Sequence, residues 1–210
     1  MASIEAVAAH FGAEPAAGLE VPTETVEGLP GLIVIEKDGR KLLKSPTWGF
    51  PRLDRDMRER GDPPERIGLV ADLTNSMWDK MAMDPRYRCL IVLTHFANPD
   101  GEPGEKTRTW FSVKGQPIMA WAGFCKNTRE FGPVYAGMTM EANAAIPPTN
   151  DRMPVLLGPH EYERWLHGPI NDVIGFQFRK PFAAERMEVL RTNDRWRSGK
   201  LPKPPQLSLL

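Results

Sequence analysis

Cysteine is scarce in this chain: two in 210 residues, Cys89 and Cys125, too few for a disulfide framework. Both stand in apolar, strand-like surroundings, the pattern of buried thiols in a reducing compartment rather than of a bridge. Histidine is scarce as well. His10, His95, His160 and His167 show no metal-ligand spacing with a third donor close by in the sequence, so neither zinc nor any other metal is expected. A Gly-rich phosphate loop, a nucleophile elbow and a paired CxxC are missing, and no cofactor is expected. No window approaches the roughly 20 apolar residues of a membrane span, and the opening MASIEAVAAHFG has neither a basic n-region nor a long apolar run. The expectation is a cytoplasmic monomer without membrane contact. Excess charge of either sign is absent too, since Lys plus Arg and Asp plus Glu number 27 each. A polyanionic partner would have to be met by local clustering of charge, not by the field of the whole protein.

What the chain has in quantity is punctuation. Twenty-one prolines and 18 glycines are spread along it and cut it into short elements, which favours a β-rich α+β domain with many turns over a helical bundle. The length suffices for one good core. One domain is expected over residues 1–197, followed at 198–210 by a Pro- and Lys-rich tail without aromatics that reads as disordered.

The chain is organised around residues 87–99, YRCLIVLTHFANP. Arg88 opens a short continuous apolar run that reads as a strand buried on both faces, and residues 94–99 carry small and polar side chains to its rim. A polar turn at 100–106 and a strand at 107–113 follow. Upstream, residues 3–11 read as a helix capped by Ser3 and ended by Gly12. Residues 31–36 and 41–44 read as a hairpin about Asp38-Gly39, 67–71 as a strand, and 75–83 as a helix closed by Pro85. Downstream, strands are expected at 117–124, 134–140 and 182–190, and short helices at 141–146, 159–165 and 171–176. Trp48, in the rigid loop PTWGFP, reads either as packing or as a stacking platform for a base. The charged window 52–66 reads as a solvated loop or frayed helix. Cys89, mid-strand, reads as inert.

Taken in order, PTWGFP, YRCLIVLTHFANPDG, TRTWFSV, PIMAWAGF and TNDRMPVLL with a following helix ending RWLHG resemble the SOS-response-associated peptidase family of abasic-site processing proteins. The resemblance covers roughly residues 3–181. It implies a single β-rich α+β domain, a mixed or antiparallel sheet curled into a barrel-like fold with short flanking helices, and a groove for single-stranded DNA. Family members cross-link to abasic sites through a cysteine after the initiator methionine, whose amine and thiol close a thiazolidine ring on the sugar aldehyde. A glutamate at the end of the central strand and a histidine before the Met-Pro-Val strand assist proton transfer.

Carried over residue by residue, that resemblance puts Asn98 at the glutamate and Asn150 at the histidine, and puts Ala2 at the nucleophile position if the start is aligned at the methionine, or else implies that the family's first, Met-Cys strand is missing. Alanine has no nucleophile, and neither amide titrates near pH 7. The family's upstream asparagine has no clear match, with Asn75 a loose candidate. Trp48, Arg88, Arg152, Asn75 and His95 are the expected DNA contacts: the tryptophan by stacking, the arginines on phosphates or else in a salt bridge with Asp151 or a neighbour. Three functions compete. The first is a degenerate member that still binds single-stranded or abasic DNA. The second is an active cross-linker whose true start lies upstream, and the third is a scaffold that has lost DNA and binds protein.

Overall fold

One long strand carries the architecture. Residues 132–141, GPVYAGMTME, put apolar or small side chains on both faces, so the strand needs a layer on either side, and residues 134–140 are all buried. The computed structural model describes residues 2–20, 23–147 and 150–196; the tail expected at 198–210 lies outside the described residues. In chain order the strands are β1 (Glu14–Pro15), β2 (Ile33–Lys37), β3 (Arg40–Lys44), β4 (Thr47–Trp48), β5 (Phe50–Arg52), β6 (Glu65–Ile67), β7 (Leu69–Val70), β8 (Arg88–Leu93), β9 (Phe96–Asp100), β10 (Thr107–Val113), β11 (Met119–Thr128), β12 (Gly132–Glu141), β13 (Arg152–Pro154), β14 (Leu156–Leu157) and β15 (Met187–Arg195). The helices are α1 (Ile4–Phe11), α2 (Arg55–Arg60), α3 (Asp79–Met83), α4 (Tyr162–His167) and α5 (Ile170–Phe178).

Among the described residues the main sheet runs β1-β3-β2-β8-β11-β12-β13, with β14 on β11 and both β4 and β7 on β12. Its centre is unusual. β11 and β12 pair from Gly123 and Gly137 outward to Thr128 and Gly132, then part, and residues 152–157 enter between them. Arg152, Met153 and Pro154 pair with β12, and Leu156 and Leu157 with β11. Val155 bridges the two: its N–H donates to the Met138 carbonyl and its carbonyl accepts from the Ala122 N–H, both at 2.9 Å. The parting is built from a large side chain over a missing one. Trp121 lays its ring across Gly137, where a Cβ would fall 1.9 Å from the indole, and its Nε1 donates to the Met138 carbonyl at 2.6 Å.

The expected barrel does not form, because the chain changes sheets at Thr94 and His95. β8 pairs with β2 and β11, whereas β9, two residues on, pairs with β10 in a separate three-stranded sheet ordered β15-β10-β9. Phe96 and Phe111 stack at 5.3 Å across that second sheet and belong to the common core. The result is a mixed α+β, sheet-rich domain with short helices and no closed sheet among the described residues.

Several elements stand where the sequence puts them. α1 has Ser3 as N-cap, accepting from the Ala6 N–H, and Gly12 as a left-handed C-cap. Asp38 and Gly39, at φ 52° and 71°, make the turn that matches the right-handed twist of β2 and β3. Others differ. The strand expected at 67–71 is cut at Gly68, where the Trp48 indole leaves no room for a side chain. The helix expected at 141–146 is instead the last residue of β12 and a turn, with Asn143 Oδ1 accepting from the Ala145 N–H. The charged window 52–66 folds as α2 between β5 and β6, with Asp54 and Gly61 as its caps. The last strand begins at Met187 rather than 182.

Candidate functional site

Strand directions gather one set of loops. β8 and β12 both run antiparallel to β11, and β7 runs parallel to β12, so the chain leaves β7, β8 and β12 at one end of the sheet. β13, antiparallel to β12, starts at that end. Residues 71–75, 94–95 and 150–152 therefore share an edge, and with them Asn75, His95, Asn150 and Arg152.

At this edge backbone carbonyls outrun their ladder partners, since β7 pairs with β12 only as far as Val70. Arg152 reaches across β12 to serve them. Its Nη2 donates to the carbonyls of Thr139 (2.7 Å) and Ala71 (2.9 Å), and its Nε to Thr139 Oγ1 (3.2 Å). Gln177 of α5 completes the clamp, its amide donating to Val70, Ala71 and Thr139 at 3.1 to 3.3 Å. Arg152 is thus held by carbonyls, not by the ion pair with Asp151 that its sequence neighbours suggested. Asn150 shapes the entry to β13, its Oδ1 accepting from the Arg152 N–H at 3.1 Å. Asp72 caps the turn beyond β7. Bonds from the Thr74 hydroxyl and N–H, with help from the Arg152 charge, hold its carboxyl below the usual range. Thr139 and Gln177 were not singled out from the sequence, because nothing local marks them.

Asn98 sits in β9 opposite Thr109. It is 8% exposed, contrary to the sequence reading of a rim position. Its Nδ2 has no hydrogen-bond partner among the described residues, and a buried unmade donor costs on the order of 1–3 kcal/mol. His95, in the short link between the sheets, is exposed with its ring edge toward Trp110 at 6.5 Å and Nδ1 3.3 Å from Thr94 Oγ1. Desolvation pushes its pKa down, against the pull of Glu188.

Trp48 and Arg88 lie away from this edge. Trp48 pairs with Tyr135 in the middle of β12. Its indole stacks on that tyrosine at 6.4 Å, meets the edge of Trp121 at 6.0 Å and donates from Nε1 to the Gly68 carbonyl at 2.8 Å. Packing, the alternative weighed from the sequence, therefore holds the ring, which keeps some exposure. Beside it the Glu27 carboxyl is pushed upward by burial, although the Gly68 N–H and Arg66 draw it down. Arg88 cannot be a phosphate contact as folded. It is 2% exposed, lies at the other end of β8, and donates to the carbonyls of Trp165 (3.1 Å), Gly168 (2.5 Å) and Ala82 (3.1 Å). Asn75 is exposed and closes a turn, its Oδ1 accepting from the Met77 N–H. Ala2 is half-buried, its methyl packed on the core. Cys89 is fully buried, which drives its thiol pKa well up, and Cys125 is half-buried.

The arrangement offers amides, hydroxyls, one imidazole and the Asp72 carboxylate at a strand-end edge. Among the described residues no helix is long and apolar enough to cross a membrane. No curated protein sequence matches this chain. Solved structures do. A Bordetella bronchiseptica protein aligns at 20% identity with a TM-score of 0.73, over 91% of this chain and 96% of its own. A Bacteroides thetaiotaomicron protein aligns at 20% identity and TM-score 0.61, over 78% and 74%. A phage-related protein of Bordetella bronchiseptica aligns at 16% identity and TM-score 0.59, over 83% and 85%. These likenesses are of fold. A sequence model of the SOS response associated peptidase (SRAP) family matches residues 6–195, nearly the whole chain, and the chain therefore belongs to that family, whose general setting is the response to DNA damage.

Proposed function

We propose that this chain is a non-covalent member of the SRAP family: a monomeric, cytoplasmic protein that holds single-stranded or abasic-site DNA without cross-linking to it. The observation that carries the reading is Asn98. At the position where the resemblance calls for a glutamate there is a nine-tenths buried carboxamide whose Nδ2 lacks a partner among the described residues. Such a group cannot take or give a proton at pH 7, so it cannot serve as the acid or base that the resemblance places there. Asn150 supports the same reading, since an amide supplies no base. The exposed His95, Asn75 and remaining face of Trp48 would supply the contacts.

The test is a fluorescence-anisotropy titration with a labelled single strand, with and without one abasic site, at two salt concentrations, paired with a denaturing gel. Salt-sensitive binding and no adduct is the expected result. An adduct that survives denaturation would refute the non-covalent reading and favour an active cross-linker. A second reading, a scaffold for protein, is favoured by the commitment of Arg88 and Arg152 to carbonyls and by the acidic Asp72, Glu141 and Asp151 around the same edge. Absence of any binding at low salt would select it.

A further inference from the structure

The sequence singles out no metal set: beside Glu163 and His167, one helical turn apart, the neighbouring Glu161 is engaged with Arg179 and the Gly158 N–H, so a third donor must come from elsewhere in the chain. The fold supplies it. Glu163 and His167 are four residues apart on α4 and face one direction. Glu36, 131 residues from His167, comes to them from β2. Donor atoms of the three all lie within 4.8 Å of one another: His167 Nε2 is 3.1 Å from Glu36 Oε2 and 3.5 Å from Glu163 Oε2.

We propose that Glu36, Glu163 and His167 form a binding site for a divalent cation of the Zn2+ class, tying α4 to the β2–β3 hairpin. The first argument is spacing. Donors about 2.0–2.1 Å from a tetrahedral zinc stand about 3.4 Å from each other, and the two His167 separations bracket that value. The second is donor chemistry. One imidazole with two carboxylates suits Zn2+ and its transition-metal neighbours, whereas Mg2+ and Ca2+ take oxygen alone. With three protein donors a fourth position stays open to water.

The third argument is that rigid elements hold the donors. α4 is pinned by Trp165, which is fully buried and donates from Nε1 to the Cys89 carbonyl at 2.9 Å, and by buried Leu166. The hairpin register sets Glu36 opposite Lys41, and Lys41 Nζ holds Glu163 Oε1 at 2.6 Å. That lysine orients the carboxylate and leaves Oε2 turned to His167. Two carboxylates against one ammonium leave the cluster anionic, and its side chains are between one quarter and two thirds exposed, so a cation can enter from solvent.

The experiment is isothermal titration of ZnCl2 into the tag-free full chain, with MgCl2 as control and Co2+ absorption as a readout of ligand geometry. One equivalent of Zn2+ should bind, with at least a tenfold loss of affinity in both His167→Ala and Glu36→Gln and no comparable Mg2+ binding. Glu36→Gln keeps shape and partial exposure, so it remains informative if His167→Ala folds poorly. Absence of stoichiometric binding overturns the proposal and leaves a plain His-carboxylate ion pair. Binding that both substitutions leave unchanged overturns it as well, by putting the metal on His10, His95 or His160.

Discussion

Replacing Arg88 by methionine tests whether that arginine belongs to the fold or to a ligand. The stem of the new side chain fills the same space, but three carbonyls, those of Ala82, Trp165 and Gly168, lose a charged donor. Each buried carbonyl left without a partner costs about 1–3 kcal/mol. Part of that is returned, because a guanidinium that was 2% exposed no longer has to be desolvated. Three such carbonyls, less that return, leave a net cost of about 3–5 kcal/mol. For a chain of this length each kcal/mol moves Tm by about 2–4 °C, so the melting temperature should fall by about 6–20 °C, read by circular dichroism at 222 nm. Arg88→Lys should lie between, since one ammonium cannot span α3 and the end of α4 as the planar fork does. A methionine variant melting within 1–2 °C of the parent would refute the reasoning and return Arg88 to the list of ligand contacts.

Gly137→Ala should destabilise the domain severely, because its Cβ would meet the Trp121 ring at 1.9 Å; soluble yield and Tm both report it, and a normal Tm would mean that β11 and β12 do not part here. Asn98→Leu removes an unmade buried donor, so stability should stay level or rise by about 1 kcal/mol; a falling Tm would show that the amide is satisfied after all. The Glu161 carboxyl is pushed upward by burial but drawn lower overall by Arg179 and the Gly158 N–H. Its folded pKa is thus below its unfolded value of about 4.3, so it stabilises above that pH and the contribution is lost as pH falls through the folded value. Glu161→Gln should flatten the acid limb of a Tm-against-pH curve, and an unchanged limb would argue against the ion pair.

Local signals were legible where the structure depends on neighbours in the chain. Ser3 and Gly12 bound α1 from both ends, and Asp38-Gly39 fixes the β2–β3 register. The strands expected from patterning about Cys89, Trp110 and Trp121 are present as β8, β10 and β11. What the sequence concealed is long-range satisfaction of polar groups. Arg88 at a strand start looks like a free cation until the carbonyls 77 and 80 residues later are in place, and Arg152 looks like a partner for Asp151 until β7 ends short of Thr139. The change of sheet at Thr94 and His95 was hidden for the same reason. Phe96 needs Phe111, and the run 87–99 taken alone reads as one strand with a polar rim.

Under the proposed non-covalent reading, these placements account for how chemistry could leave such a fold without disturbing it. Asn150 lies in a turn ahead of β13, and Asn98 is one residue in a hairpin anchored by Phe96 and Phe111, so changing either need not repack the double-sided core around β8 and β12. The reverse step is harder. A glutamate restored at 98 would stand nine-tenths buried opposite Thr109, with its pKa driven up by desolvation. It could then act as an acid, yet neither cysteine among the described residues is placed to be its nucleophile: the Cys89 thiol is sealed in the core with its pKa raised, and Cys125 is half-buried two pairs from Gly137 in the β11–β12 ladder. Restoring a covalent reaction therefore takes at least a sulfur and a carboxyl together, and Asn98→Glu alone should yield no adduct on a denaturing gel.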